Sequence, residues 1–150
     1  VTGIPTSKGV SKITLNNIKD KPGIASSIFE PLSSIGINVD VIVQTASSEG
    51  TTNLSFTLDD KDLKSCLKEL IKSNVTNEDN IQTQSSLGKV SIVGTGIQNQ
   101  PGYASRMFKA LSDKNINIEM ITTSEIRITC IIKESDLEKA AKSLHKEFID

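Results

Sequence analysis

The chain has 150 residues, with 17 basic against 18 acidic side chains and a net charge of −1. That balance has no basic block, and only 3% of the residues are aromatic, with no Trp; together these exclude a nucleic-acid binder built on a cationic face or on base stacking. No apolar run approaches the roughly 20 residues of a membrane span, and the opening VTGIPTSKGV has neither a charged n-region nor an apolar h-region, so a cytoplasmic location is expected, with no membrane partner.

The first residues, VTGI, are an apolar, β-branched scrap. SKITLNN then reads as a strand, and from Gly23 the residues Ile24, Ile28, Phe29, Leu32 and Ile35 recur at three- and four-residue steps, the spacing of a helix with one buried stripe. Pro22 suits the first turn of that helix and Gly36 its end. INVDVIVQT alternates with Val39, Val41 and Val43 on one face; SSEG is a turn; TNLSFTL alternates through Leu54, Phe56 and Leu58. A second helix carries Leu63, Cys66, Leu67, Leu70 and Ile71, and NIQTQSS follows as a strand. The order is β-α-β-β-α-β.

The same order returns. KVSIVGTG is a strand, a helix runs through Tyr103, Met107, Phe108 and Leu111, INIEMITT and EIRITCII are strands, and Leu137, Ala140, Ala141, Leu144 and Phe148 mark the last helix. This half lacks its final strand, which VTGI could supply. The expected domains are therefore 8–86 and 87–150, the second completed by 1–7, with the first inserted in the second. The first residue is Val, not Met, which suggests a piece of something longer. A unit of about 70 residues has a marginal core by itself, so packing on another unit, and a homodimer, are expected.

The halves repeat in detail, at a spacing of 79 residues: Pro22 and Pro101, Gly23 and Gly102, Ala25 and Ala104, Phe29 and Phe108, Asn38 and Asn117 all correspond. Before the first helix of each lies Asp20-Lys21-Pro22-Gly23 or Asn99-Gln100-Pro101-Gly102. A helix N-terminus offers free N–H groups and the positive end of its dipole to a carboxylate, Gly admits the ligand to the backbone, and Asp20 can pair with an ammonium. Those groups fit the backbone of a free amino acid. The plainer use of Asp20 and Asn99 is to support the turn. Asn38 and Asn117 each open a strand, as edge residues or ligand contacts. Gln44 is an amide in an otherwise apolar strand and needs a partner, whereas Ser124 and Glu125 fall where a tight hairpin turns.

Catalytic machinery is missing from this pattern. GTGIQN at Gly94 lacks the third glycine of a dinucleotide fingerprint, and His145 stands alone on the last helix with no nucleophile motif beside it. Cys66 and Cys130, without a CxxC pair, read as reduced core residues; no metal site is expected.

A β-α-β-β-α-β unit with Asp-x-Pro-Gly before its first helix resembles the ACT domain, an α+β, ferredoxin-like module that binds amino acids. KDKPGIAS, INVDVIVQ, GTTNLSFT, GKVSIVG, NINIEMITTSEIRI and DLEKAAKSLHKEF are similar to the tandem ACT regulatory region of aspartokinases, including the separate regulatory subunit of some bacteria. The resemblance covers almost the whole chain. It implies a non-catalytic regulator that binds threonine, lysine or both at interfaces between ACT units and inhibits phosphorylation of aspartate. The kinase active site, with its ATP and magnesium, would belong to a catalytic subunit or domain, and this chain would need no cofactor. One effector site would use Asp20, Pro22, Gly23, Ile24, Ala25 and Gln44, with Asn117 and Ile118 of a second unit. A second possible site would use Asn99, Pro101, Gly102, Tyr103 and Ala104, with Asn38, Val39 and Ser124; there Asn99 replaces the aspartate. The alternative is a stand-alone amino-acid-sensing ACT protein that controls a different partner.

Overall fold

Two apolar stripes at helical spacing and three alternating runs build each half of the chain. The computed structural model describes residues 1–46 and 49–150. Two units emerge, Ser11–Ser85, here the first unit, and Val1–Val10 with Ser86–Asp150, here the second. In chain order the elements are β1 (Thr6–Lys19), α1 (Ile24–Ser34), β2 (Ile42–Ala46), β3 (Thr51–Asp59), α2 (Leu63–Lys72), β4 (Ile81–Val93), α3 (Tyr103–Ser112), β5 (Met120–Thr123), β6 (Arg127–Lys133) and α4 (Leu137–Phe148).

In the first unit the strands lie in the order β2-β3-β1-β4. β2 pairs antiparallel with β3, Gln44 opposite Leu54. The inward face of the sheet and one stripe of each helix bury Ile13, Leu15, Phe56, Ile28, Leu32 and Leu70, and Phe29 meets Phe56 edge-on with ring centres 5.1 Å apart. In the second unit the order is β5-β6-β4-β1, with Val90 opposite Cys130 and Ile121 opposite the same cysteine from the other side. Its core gathers Val90, Ile92, Met107, Leu111, Ile132 and Leu144. The N-terminal residues belong to this sheet: Thr2 N–H donates to the Val93 carbonyl at 2.7 Å, and Val93 N–H to that of Gly3 at 3.1 Å. Both units have the ferredoxin-like strand order, in which α helices cover one face of an antiparallel sheet.

The strands differ from expectation where single residues change the course of the backbone. NIQTQSS and KVSIVGTG are not two strands but one, β4, 13 residues long. Their junction at SSLG makes no turn, because Ser86 alone there takes a left-handed φ of 59° and Leu87 is fully buried; one such residue can bend a strand without ending it. β1 likewise runs for 14 residues through Gly9 and Asn17, both at positive φ. Of the predicted SSEG turn, Ser47 and Ser48 lie outside the described residues, while Gly50, at φ 76°, leads into β3.

β2 and β5 start later than the alternation suggested, at Ile42 and Met120. All five residues of β2 are exposed, Val43 among them, because β2 lies at the end of the strand order and Ile37 and Val41 are the side chains that reach the core. Ile35, placed on the buried stripe of α1 by its spacing, is exposed at the helix end. The cysteines are as expected: Cys66 and Cys130 are free and buried, and burial pushes both thiols up to about 12, with the Asp62 carboxylate adding to the rise at Cys66.

Candidate functional site

The Pro-Gly loops take the same backbone path in both units. Gly23 sits at φ 86°, ψ −2° and Gly102 at φ 102°, ψ −17°, the values of the third residue of a type II turn whose second residue is the preceding proline. In the first unit the turn closes with Ile24 N–H on the Lys21 carbonyl at 3.2 Å. Each glycine is the cap residue of the helix that follows, and its carbonyl accepts the first helical bond, from Ser27 N–H at 3.0 Å and from Arg106 N–H at 2.9 Å. Pro22 therefore precedes the cap and does not lie in the first turn of the helix. The reason is the left-handed φ of Gly23, which no helical residue shares. A Cβ at either glycine would meet nothing within 4 Å, so it is backbone conformation and not space that demands glycine here.

A glycine cap has no side chain to satisfy the helix. Neither α1 nor α3 has a side-chain cap bond, and neither carries an acid in its first turn, so apart from Ile24 N–H, which closes the turn, their first-turn N–H groups are left to solvent or to a ligand. Such an end attracts anions. Asp20 is exposed beside the first of these ends, held by its own N–H on the Gly50 carbonyl at 3.0 Å; Asn99 is exposed beside the second, its N–H on the Gly96 carbonyl at 3.1 Å. Ile24 and Tyr103 are half-buried and pack on the core of their own unit, while Ala25 and Ala104 are half-buried beside them. Gln44 is exposed on β2.

In the second unit the loop opens on a cavity of about 560 Å³. Pro101, Gly102, Tyr103 and Ala104 form one wall and Thr123, Ser124 and Glu125 the other. The hairpin between β5 and β6 sets this approach, closed by Ser124 N–H on the Arg127 carbonyl at 2.8 Å. Thus five of the residues expected at the second site, Ser124 included, share one cavity, although Asn99 is not in its wall while Gln98 and Gln100 are. Thr123 was missed by the sequence reading. Its signal was available, since it stands 79 residues after Gln44, in the place the repeat assigns to that amide.

The asparagine pair divides in the same way in both units. Asn38 and Asn117 are exposed, whereas the next residues, Val39 and Ile118, turn partly into the core of their own unit. An exposed amide beside an anchored aliphatic side chain offers a hydrogen-bonding group at a fixed place. Among the described residues no cluster of His, Cys, Asp and Glu could hold a metal ion, and no helix is long and apolar enough to cross a membrane.

Comparison with known proteins gives these features a family. Residues 13–73 and 90–148 match the ACT domain family. Over 99% of its length the chain is 42% identical to an aspartokinase of Corynebacterium glutamicum, and it spans 36% of that protein. It is 34% identical to the regulatory subunit of aspartate kinase from Thermus thermophilus, in its ligand-free form, with a TM-score of 0.89 and coverage of 99% of this chain and 98% of that one. A structure of aspartokinase alpha and beta subunits matches at 36% identity and a TM-score of 0.86, covering 99% and 98%. The chain thus spans about a third of the curated relatives and nearly all of the regulatory subunit.

Proposed function

Since the chain belongs to the ACT domain family, and within it to the regulatory regions of aspartokinases, we propose that it exerts feedback control, binding threonine, lysine or both at interfaces between ACT units and thereby inhibiting the phosphorylation of aspartate. The observation that carries this reading is the pair of uncapped helix ends behind left-handed glycines. Each presents N–H groups suited to an amino acid's carboxylate. At the first, the exposed Asp20 carboxylate supplies the counter-ion for the ammonium.

One effector site then consists of Asp20, Pro22, Gly23, Ile24, Ala25 and Gln44 with Asn117 and Ile118 of a second unit. The exposure of Gln44 supports this, because a polar amide on an open edge strand is free to meet a ligand or a neighbour. A second site would use the cavity at Gly102, Tyr103 and Ser124, with Asn38 and Val39. We place these shared sites between units of two copies of the chain, so at least a dimer is expected, and exposed Ile42, Val43 and Ile121 on the outermost strands suit such a contact. ATP and magnesium would bind only to the catalytic partner.

An effector can inhibit from a distance only by binding the inhibited arrangement of units better than the active one, with a coupling of about 1–3 kcal/mol. Calorimetric titration of the chain with threonine and lysine, singly and together, tests the reading. Saturable heat from at least one is expected. No heat from either, or a chain that sediments as a monomer with and without both amino acids, would overturn it.

A further inference from the structure

The first unit contains a polar cavity whose lysines and asparagines the effector reading leaves unused. It has a volume of about 470 Å³ and lies between the junction of β1 with α1 on one side and the connection from α2 to β4 on the other. Lys19 and Lys21 contribute two cations to its wall, and Asn17, Asn74, Asn77 and Asn80 contribute four amides. Among the described residues no carboxylate lines it. Asp20 lies between the two lysines in sequence, and Glu78 and Asp79 stand in the turn that follows Asn77, but none of the three is in the wall.

Backbone needs explain only part of this composition. Asn17 and Asn74 both adopt φ 56°, a conformation that asparagine tolerates better than most residues. That accounts for two amides. Asn77 precedes a short 3-10 turn yet makes no side-chain cap bond, so its amide is not spent on the turn. Thr76, also in the wall, has a hydroxyl oxygen that is buried without a hydrogen-bond partner, and such a group calls for an acceptor or a donor from outside the chain. Two ammonium groups and several amide donors around an unpartnered hydroxyl form a surface that matches oxygen atoms carrying negative charge.

We propose that this cavity binds a small, multiply charged oxyanion, a phosphate or a dicarboxylate, beside the amino-acid loop, with which it shares Lys21 and Ile24. Two lysines favour a ligand with more than one negative charge. The volume lies within the range of ordinary small-molecule pockets, which leaves room for a metabolite carrying the anion and not only for the anion itself. A ligand here would touch Lys21 and Ile24, on the loop and first turn of α1, so its binding would reach the effector loop through that shared segment.

The test is a titration of the isotope-labelled chain with inorganic phosphate and, separately, with succinate at constant ionic strength, followed by amide chemical shifts, with chloride as control. Saturable shifts are expected at Asn74, Thr76, Asn77 and Asn80, below about 20 mM, with the tighter of the two probes identifying the source of the anion. Lys19→Gln should weaken that probe about tenfold or more, as the loss of a charge-assisted bond requires, and Lys19→Arg should largely restore it. Asn77→Ala should weaken it severalfold. Threonine titration of Lys19→Gln should match the parent, so that failure of the anion site and failure of the effector reading are told apart. The proposal is overturned if neither probe saturates, if chloride produces the same shifts, if the shifts lie away from the wall, or if Lys19→Gln and Asn77→Ala bind both probes like the parent.

Discussion

Gly36 and Asn115 end their helices with the same bond pattern although only one of them is glycine. Gly36 N–H donates to the Ser33 carbonyl and Ile37 N–H to that of Leu32, both at 3.0 Å; Asn115 N–H donates to Ser112 at 2.9 Å and Ile116 N–H to Leu111 at 3.1 Å. Both residues are left-handed, at φ 81° and 56°. This is the Schellman arrangement, and it buries Ile37 and Ile116 just beyond the turn. A Cβ at Gly36 would meet nothing within 4 Å, so only backbone strain opposes a side chain there. Gly36→Ala should therefore destabilise the chain by about 1–2 kcal/mol, and Gly36→Asn by clearly less. Urea unfolding of the two variants gives the answer, and an alanine variant as stable as the parent would refute the strain argument.

The two copies of the effector loop differ in charge, and affinity should follow. A charge-assisted hydrogen bond is roughly twice as strong as a neutral one. Asp20→Ala should cost about 1.5–3 kcal/mol of threonine affinity, and Asn99→Ala about 1 kcal/mol or less. Gln44→Ala should also weaken threonine. All three side chains are exposed, so thermal stability should change little. If Asp20→Ala binds threonine like the parent while Asn99→Ala does not, Asp20 only supports the turn and the assignment of sites is reversed.

The bonds of the N-terminal residues to the second unit's sheet predict a role for residues 1–7 in that unit alone. Thr2, Gly3 and Pro5 exchange three backbone bonds with Val93 and Ser91, and Val1 and Ile4 pack against that unit's core. Deleting residues 1–7 should cost about 2–4 kcal/mol, at ~1 kcal/mol for each bond plus the lost packing. Amide exchange should quicken in β4 from Ser91 to Val93 and in α3 and α4, and not in α1 and α2. Uniform acceleration across both pairs of helices would contradict this role.

Burial should make the two thiols both unreactive and pH-sensitive. Each is fully buried and stays protonated up to about 12, against an ordinary value of 9.0. In the unfolded chain the thiols ionise near 9, so their contribution to stability is complete below that pH and is lost as pH rises toward 12. At pH 8 an aromatic disulfide reagent should modify Cys66 and Cys130 only as fast as the fold opens. The decline of stability above pH 9 should be shallower in the Cys66→Ala, Cys130→Ala double variant. Rapid labelling of the folded chain would show that one of the thiols is accessible.

The residues themselves determine what depends on local geometry. The 79-residue repeat, the burial of Cys66, Leu70, Met107, Leu111, Ala140 and Leu144 on helical stripes, and the helix stop at Gly36 could all be read from spacing, because 3.6-residue periodicity and the freedom of glycine need no distant partner. The Pro-Gly loops were legible for the same reason. Tertiary structure decided what depends on neighbours. Val43 and Gln44 alternate like residues of a half-buried strand, yet both are exposed, since only the strand order reveals that β2 has a partner on one side. Nothing local distinguishes Ser86, which bends β4 without ending it, from a residue of a true turn. Ser124 joins the cavity at Gly102 because β5 pairs with β6 and β6 with β4, and that register is set by burying Cys130 and Ile132 in a common core, a long-range condition that no short stretch of sequence contains.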